Sequence, residues 1–300
     1  MAGKTRLTDM YEQLGEFRAA LVAEDMSPAA VSSYVGNVWR FARWYAETYD
    51  QAFVPSEVVQ RDVQEHRAWM QGVPYAAETV NRRLVSIRKF FDWLGINPNP
   101  AAAVRGVTIV DPGVQALSIQ EFRRLLREVH RGGDRRDIAI VELLAHTGMR
   151  VGELVSLGVA DIELMERKGS VKIRHGKGGV SREIPLNADV RSALRAYLSD
   201  RSDASDQSGR LFRGQRGDLT CSGVQRLVRK YGNMAGIDRL RVHQLRHTVL
   251  TRLVREQGID LATVARISGH SSMKTLMRYA APTQEDMQRA MESLALVGGE

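Results

Sequence analysis

Cysteine is almost absent from this 300-residue chain, where Cys221 stands alone. A single thiol excludes an internal disulfide and a thiolate metal cluster. It fits a reducing compartment, and the cytoplasm is the expected location. Long hydrophobic runs are also missing. The longest, such as "IAIV" and "ELLA", are short and broken by Glu142, so no segment reads as a membrane span. The start, "MAGKTRLTDM", has no apolar centre of the signal-peptide kind. Lysine is scarce too: it supplies only seven of the 43 basic residues.

What is present is arginine. Net charge is +8 and is unevenly placed. Residues 1–110 hold 12 basic and 12 acidic side chains, whereas residues 111–300 hold 31 and 23. Guanidinium groups are planar forks suited to bidentate phosphate contact. A polyanionic partner and a merely basic soluble protein both fit this composition. The length allows two ordinary domains with sizeable cores.

The order of patterns supports two domains. The first reads as helices only: about Thr8–Glu24, then Ser27-Pro28 as N-cap and N1 of a helix reaching Tyr49, then Pro55–Met70, then Ala77–Leu94 stopped by Gly95. The segment "INPNPAAAVRGVTIVDPG" is turn-rich and reads as a linker. A second domain opens at Ser118, with Glu121 completing a capping box. After further helices, "DIELM", "SVKIR" and "SREIPL" read as a small antiparallel meander, followed by helices to the end. The expected class is mainly α with a small β-meander. The expected boundaries are 1–96, a linker at 97–114, 115–282, and a terminal helix at 283–300.

Four stretches carry candidate chemistry. In "TGMRVGEL", Gly148 ends one helix and Arg150 falls in the first turn of the next, with Glu153 three residues on to orient it. A cation there opposes the helix dipole and is relieved by a docked anion. In "VHQLRHT", His243 and Arg246 share a helix face at i, i+3, while Leu245, Val249, Leu250, Leu253 and Val254 face elsewhere. In "HGKGG", Lys177 sits between two strands on a glycine turn. In "ISGHSSMKTLMRYA", Ser271 or Ser272 caps a helix whose apolar face is Met273, Leu276, Met277 and Ala280. Tyr279 then lies about 110° off that face. Taken alone, each stretch also fits an ordinary surface: an Arg–Glu pair, a solvated basic face, a hairpin lysine, a half-buried tyrosine.

In order, Arg150, Lys177, His243-x-x-Arg246, His270 and Tyr279 nine residues later form a specific set. With "SPAAVSSYVGNVWRFARWY" and "AETVNRRLVSIRKFFDWLG" upstream, the chain resembles the tyrosine recombinase, or phage integrase, family over nearly its whole length. Gln244 stands where the family often has Asp, and Ser268 where it often has Leu; neither removes a catalytic group. The resemblance implies a helical core-binding domain and a catalytic domain that clamp duplex DNA. It implies that Arg150, Lys177, His243, Arg246, His270 and Tyr279 are the active-site six.

Two arginines suit a phosphodiester whose non-bridging oxygens gain charge during attack. His243 is the candidate to take the phenolic proton or bind the phosphate, His270 to bind it, and Lys177 to protonate the departing 5′ oxygen. The product is a 3′-phosphotyrosyl link that a second strand reverses without ATP, with neither metal nor cofactor expected. The expected partners are a DNA site with inverted half-sites and a homo-tetramer on two such sites; the need for an accessory protein is left open by the sequence. The tail helix, capped by Thr283 and striped with Met287, Ala290, Met291, Leu294 and Val297, must bury that stripe, on its own domain or, as the resemblance implies, on a neighbouring subunit. A type IB topoisomerase-like nicking enzyme and a non-catalytic DNA-binding protein are the competing readings.

Overall fold

The computed structural model describes residues 2–109, 115–132, 134–174, 181–200, 209–214, 217–270, 272–281 and 284–295. The chain divides into two compact units, residues 1–111 and 112–300.

The first unit is helical: α1 (Ala2–Ala23), α2 (Pro28–Tyr49), α3 (Gln60–Gly72) and α4 (Ala77–Trp93). Ser27 caps α2 by accepting the Ala30 N–H, and Pro28 occupies N1, as the sequence predicts. Phe17, Phe41, Phe90 and Phe91 are fully buried, each contributing about 1.5–3 kcal/mol of transfer free energy. The segment expected to be a linker packs onto this unit as far as it is described. Ala101 and Val104 are buried in its core. Arg88 donates to the carbonyls of both, at 3.2 Å. Asn81 exchanges two hydrogen bonds with the Val107 backbone. Prolines ended the helical pattern there, but backbone polar groups still required partners, and α4 supplies them.

His66 is fully buried in this unit, with its ring 5.0 Å from Phe41, 4.6 Å from Trp44 and 5.5 Å from Trp69. Neither ring nitrogen has a hydrogen-bond partner. Burial, with the Arg83 charge behind it, holds the imidazole down to about 3. The unfolded chain binds that proton near pH 6.5, so the stability is present above pH 6.5 and is lost as pH falls toward 3. The loss is on the order of 3–5 kcal/mol. Trp39, Trp44, Trp69 and Trp93 all lie in this unit. Urea unfolding followed by tryptophan fluorescence should therefore weaken over that range, and His66→Phe should flatten the dependence. An unchanged acid slope in the variant would clear His66 of the effect.

The second unit begins with α5 (Ile119–Arg131), α6 (Arg135–Thr147) and α7 (Val151–Ser156). The Ser118–Glu121 capping box forms as expected. Gly148 ends α6 in the left-handed conformation, at φ 62°. The meander follows: β1 (Ile162–Leu164), β2 (Gly169–Ile173) and β3 (Arg182–Pro185), antiparallel in the order β1-β2-β3. Val171 pairs with Ile162 on one side and Ile184 on the other, which sets the buried face. Then come α8 (Ala188–Ser199), a two-residue ladder of β4 (Arg213–Gly214) with β5 (Gly217–Asp218), and α9 (Cys221–Met234). The chain ends with α10 (Val242–Thr251), α11 (Leu261–Ser268), α12 (Met273–Ala280) and α13 (Gln284–Ala295). Past α10 the chain widens into a π-turn, in which Gln257 N–H donates to the Arg252 carbonyl. Among the described residues no helix is long and apolar enough to cross a membrane.

Candidate active site

Tyr279 departs from the expected geometry. It is buried, at 3% exposure, together with Leu276, while Met273 and Met277 are 48% and 61% exposed. The face of α12 that packs on Leu250 and Val264 is therefore Leu276–Tyr279, not the methionine row. A phenol can occupy that face because its hydroxyl has a partner: it lies 2.7 Å from His247 Nδ1. Ser272 holds the N-cap position of α12 but makes no side-chain cap bond. Ser271 lies outside the described residues.

The two arginines arrive from different helices and grip the same turn. Arg150 is the N-cap of α7 rather than part of its first turn. Its N–H donates to Glu153 Oε2 at 2.8 Å, and its Nη1 to Oε1 at 2.9 Å. Its Nη2 donates to the Gly269 carbonyl at 3.0 Å. Arg246, only 2% exposed, donates to the Gly148 carbonyl at 2.6 Å and the Ser268 carbonyl at 2.9 Å. Burial, and then Arg150 beside it, bring the Arg246 guanidinium down to about 10, so it stays charged at neutral pH.

His270 follows this turn. Its Nε2 lies 3.1 Å from Arg246 Nη2 and its Nδ1 2.7 Å from Ser268 Oγ. Arg246 Nη2 also lies 3.3 Å from Nδ1, so the guanidinium faces both ring nitrogens. Burial and the Arg246 and Arg150 charges hold His270 down to about 4. Ser268, where leucine is frequent in the resembling family, is fully buried and orients the histidine. Partial desolvation, then Arg246 and Arg150, also lowers His243, which is exposed near the start of α10. Gln244 at N3 of that helix accepts the Arg241 N–H at 2.8 Å, completing its capping box.

The structure thus brings Arg150, Glu153, His243, Arg246, His270 and Tyr279 into one region. Lys177 lies outside the described residues. The sequence reading missed two side chains. One is His247. The other is Arg182 on β3, whose Nη1 and Nη2 donate to the two Glu153 oxygens at 2.9 and 2.7 Å and whose Nε donates to the Ile267 carbonyl at 2.8 Å. Arg182 also crowds Gly269, which sits at φ +65°: a Cβ there would come 2.7 Å from Arg182 Nη1. Two guanidiniums beside depressed imidazoles in a half-buried setting are groups chemically able to take the oxygens of a phosphate anion next to a phenol.

Known proteins resemble this chain over most of its length. The model of the phage integrase family matches residues 115–286, and that of the phage integrase N-terminal SAM-like domain matches residues 14–95. The chain is 30% identical over 297 residues to the tyrosine recombinase XerA of Pyrococcus furiosus, covering 96% of this chain and 97% of the relative. It is 27% identical over 290 residues to the TnP I resolvase of Bacillus thuringiensis, covering 93% and 98%. Among solved structures, XerA recombinase superposes with a TM-score of 0.53 at 25% identity, over 95% of this chain and 98% of that one. XerH bound to palindromic difH substrate, a post-cleavage complex, shares the fold with a TM-score of 0.75 at 19% identity, over 99% and 90%. With its larger domain and its N-terminal helices both matched, the chain belongs to the phage integrase family, the tyrosine recombinases.

Proposed function

We propose that this protein is a site-specific recombinase that cleaves and rejoins duplex DNA through Tyr279. The supporting observation is the convergence of Arg150 and Arg246 on the Ser268–Gly269 carbonyls, with the next residue, His270, having its ring 6.5 Å from the Tyr279 ring. The arginines clamp the non-bridging oxygens of the scissile phosphate, and His243 and His270 hydrogen-bond it. Tyr279 attacks phosphorus and forms a 3′-phosphotyrosyl link. Lys177 protonates the departing 5′ oxygen; its assignment rests on its place between β2 and β3. A 5′-hydroxyl from a second duplex reverses the step, exchanging strands through a Holliday junction within a homo-tetramer on two inverted-repeat sites. Helix α13, with Met287 and Met291 53% and 67% exposed, supplies an apolar stripe for a neighbouring subunit. Thr283 and Val297 of the expected tail lie outside the described residues.

The test is a nicked duplex carrying the sequence that the protein protects in footprinting, so that cleavage releases a short strand and traps the adduct. Proteolysis and mass spectrometry should find the nucleotide on the peptide containing Tyr279. Attachment to another residue, such as the buried Tyr231, would overturn the assignment.

A further inference from the structure

The Tyr279 hydroxyl has one partner of catalytic type, and it is not the histidine that the sequence singled out. His247 Nδ1 lies 2.7 Å from the phenolic oxygen, with the two rings 5.5 Å apart. The pair joins α10 to α12 across 32 residues. His243, one turn earlier, packs edge-on against the His247 ring at 4.2 Å and so stands behind it, not on the phenol.

We infer that His247 is a catalytic residue that takes the phenolic proton of Tyr279 during strand cleavage and returns it on rejoining. The inference rests on Tyr279 being the nucleophile. In cleavage the Tyr279 O–H bond breaks and its proton forms a bond to Nδ1. The phenolic oxygen bonds phosphorus, and the P–O5′ bond breaks with its electron pair on O5′, which is protonated by Lys177. On rejoining, the incoming 5′-hydroxyl gives its proton to Lys177 and its oxygen bonds phosphorus; the Tyr–phosphorus bond breaks with its electron pair on the phenolic oxygen, to which Nδ1 returns the proton.

The surroundings suit this task. An acceptor must be neutral before the step, and His247 is held down to about 4 by burial, then by the charges of His243, Arg278 and Arg246. Burial pushes the Tyr279 phenol up, against the pull of Arg246 and Arg278, so the nucleophile does not ionise unaided. Arg255, which donates to the Tyr279 carbonyl at 2.9 Å, and the His270 ring at 6.5 Å also lie beside the pair. A phosphodiester bound at Arg246 offsets one of the charges that, after burial, depress His247. Its arrival therefore raises the basicity of Nδ1 when a base is needed.

Single-turnover cleavage of the nicked duplex tests this in the full-length protein. His247→Ala should cleave about 100-fold more slowly at pH 7 or worse, the range typical of a lost general base. Its rate should climb with pH between 7 and 9, as solvent takes over the proton, where the wild type is flat. His247→Asn puts an amide oxygen near the Nδ1 position, so it can hold the phenol but cannot carry its proton. It should be as slow as the alanine variant. Near wild-type cleavage by His247→Asn would reduce His247 to positioning, and cleavage at or above the wild-type rate by His247→Ala would make it a latch; either result overturns the inference. Tyr279→Phe is run alongside. An adduct from Tyr279→Phe overturns the nucleophile assignment itself. Its absence there, together with full-rate cleavage by His247→Ala, overturns only the role of His247.

Discussion

Replacing Arg246 with lysine should slow strand cleavage by about 100- to 1,000-fold while the protein remains folded and bound to DNA, the scale associated with losing one preorganised donor to a developing oxyanion. The reason lies in how the side chain is employed. Arg246 spends one Nη on the Gly148 carbonyl and the other on the Ser268 carbonyl, at 2.6 and 2.9 Å. A planar fork can hold two such anchors and still present remaining N–H groups to a phosphate; a single ammonium on a flexible stem cannot do both. Lysine keeps the charge, so the long-range attraction for DNA that dominates binding persists. Alanine is a less informative variant, because it also leaves two buried carbonyls without donors. The measurement is the single-turnover rate on the nicked duplex beside a binding isotherm at fixed salt. A lysine variant within threefold of wild type would mean that charge alone suffices.

Removing Glu153 should produce the largest loss of stability. Its carboxylate is 6% exposed and accepts from both Nη atoms of Arg182, from Arg150 Nη1 and from the Arg150 N–H. Burial works against the charge, yet the paired Arg182 and the Arg150 contacts hold the carboxyl below its usual range. That contribution is present above the ordinary carboxyl range and is lost as pH falls from there through the lower folded value. Glu153→Ala strands Arg182, whose side chain is 9% exposed, as an uncompensated buried cation. Breaking such a pair by deleting one partner costs about 3–5 kcal/mol. Because the tryptophans report only the first unit, the loss should be read by circular dichroism during urea unfolding. Glu153→Gln, which retains shape and part of the hydrogen bonding, should fall between wild type and alanine. A shift below about 1 kcal/mol for the alanine variant would be no more than an exposed ion pair gives.

These two residues also show what the sequence makes legible. Arg150 and Glu153 lie three apart, and His243 and Arg246 likewise, so helical periodicity alone brings them together. Capping at Ser27 and Ser118 and the alternation in the meander are local in the same way. Arg182 and His247 were missed because their partners are 29 and 32 residues away. In one dimension Arg182 is simply a strand residue in "SREIPL". Tyr279 was misjudged for a related reason. A helical wheel ranks faces by apolar content, and Met273 and Met277 outweigh one phenol. The packed structure instead buries the residue whose polar atom has a partner, and that partner cannot be seen from within the helix.

The turn at Ile267–Gly269 has a further consequence for which changes the site will tolerate. Arg182, Arg246 and Arg150 hold it through the carbonyls of Ile267, Ser268 and Gly269 in succession. Each arginine thus grips the peptide chain itself, and none of the three bonds depends on side-chain identity at 267 or 268. A leucine at 268 would leave all three arginine bonds in place and release only His270. Position 269 is different, because a left-handed backbone and the Arg182 guanidinium leave no room for any Cβ. Changes at the two residues before the glycine should therefore spare the arginine bonds and be limited by packing, since Ser268 is buried and Ile267 packs on the core, whereas the glycine itself is fixed. Ser268, whose hydroxyl lies 2.7 Å from His270 Nδ1, is therefore a position at which His270 can be retuned while the three arginine bonds stay.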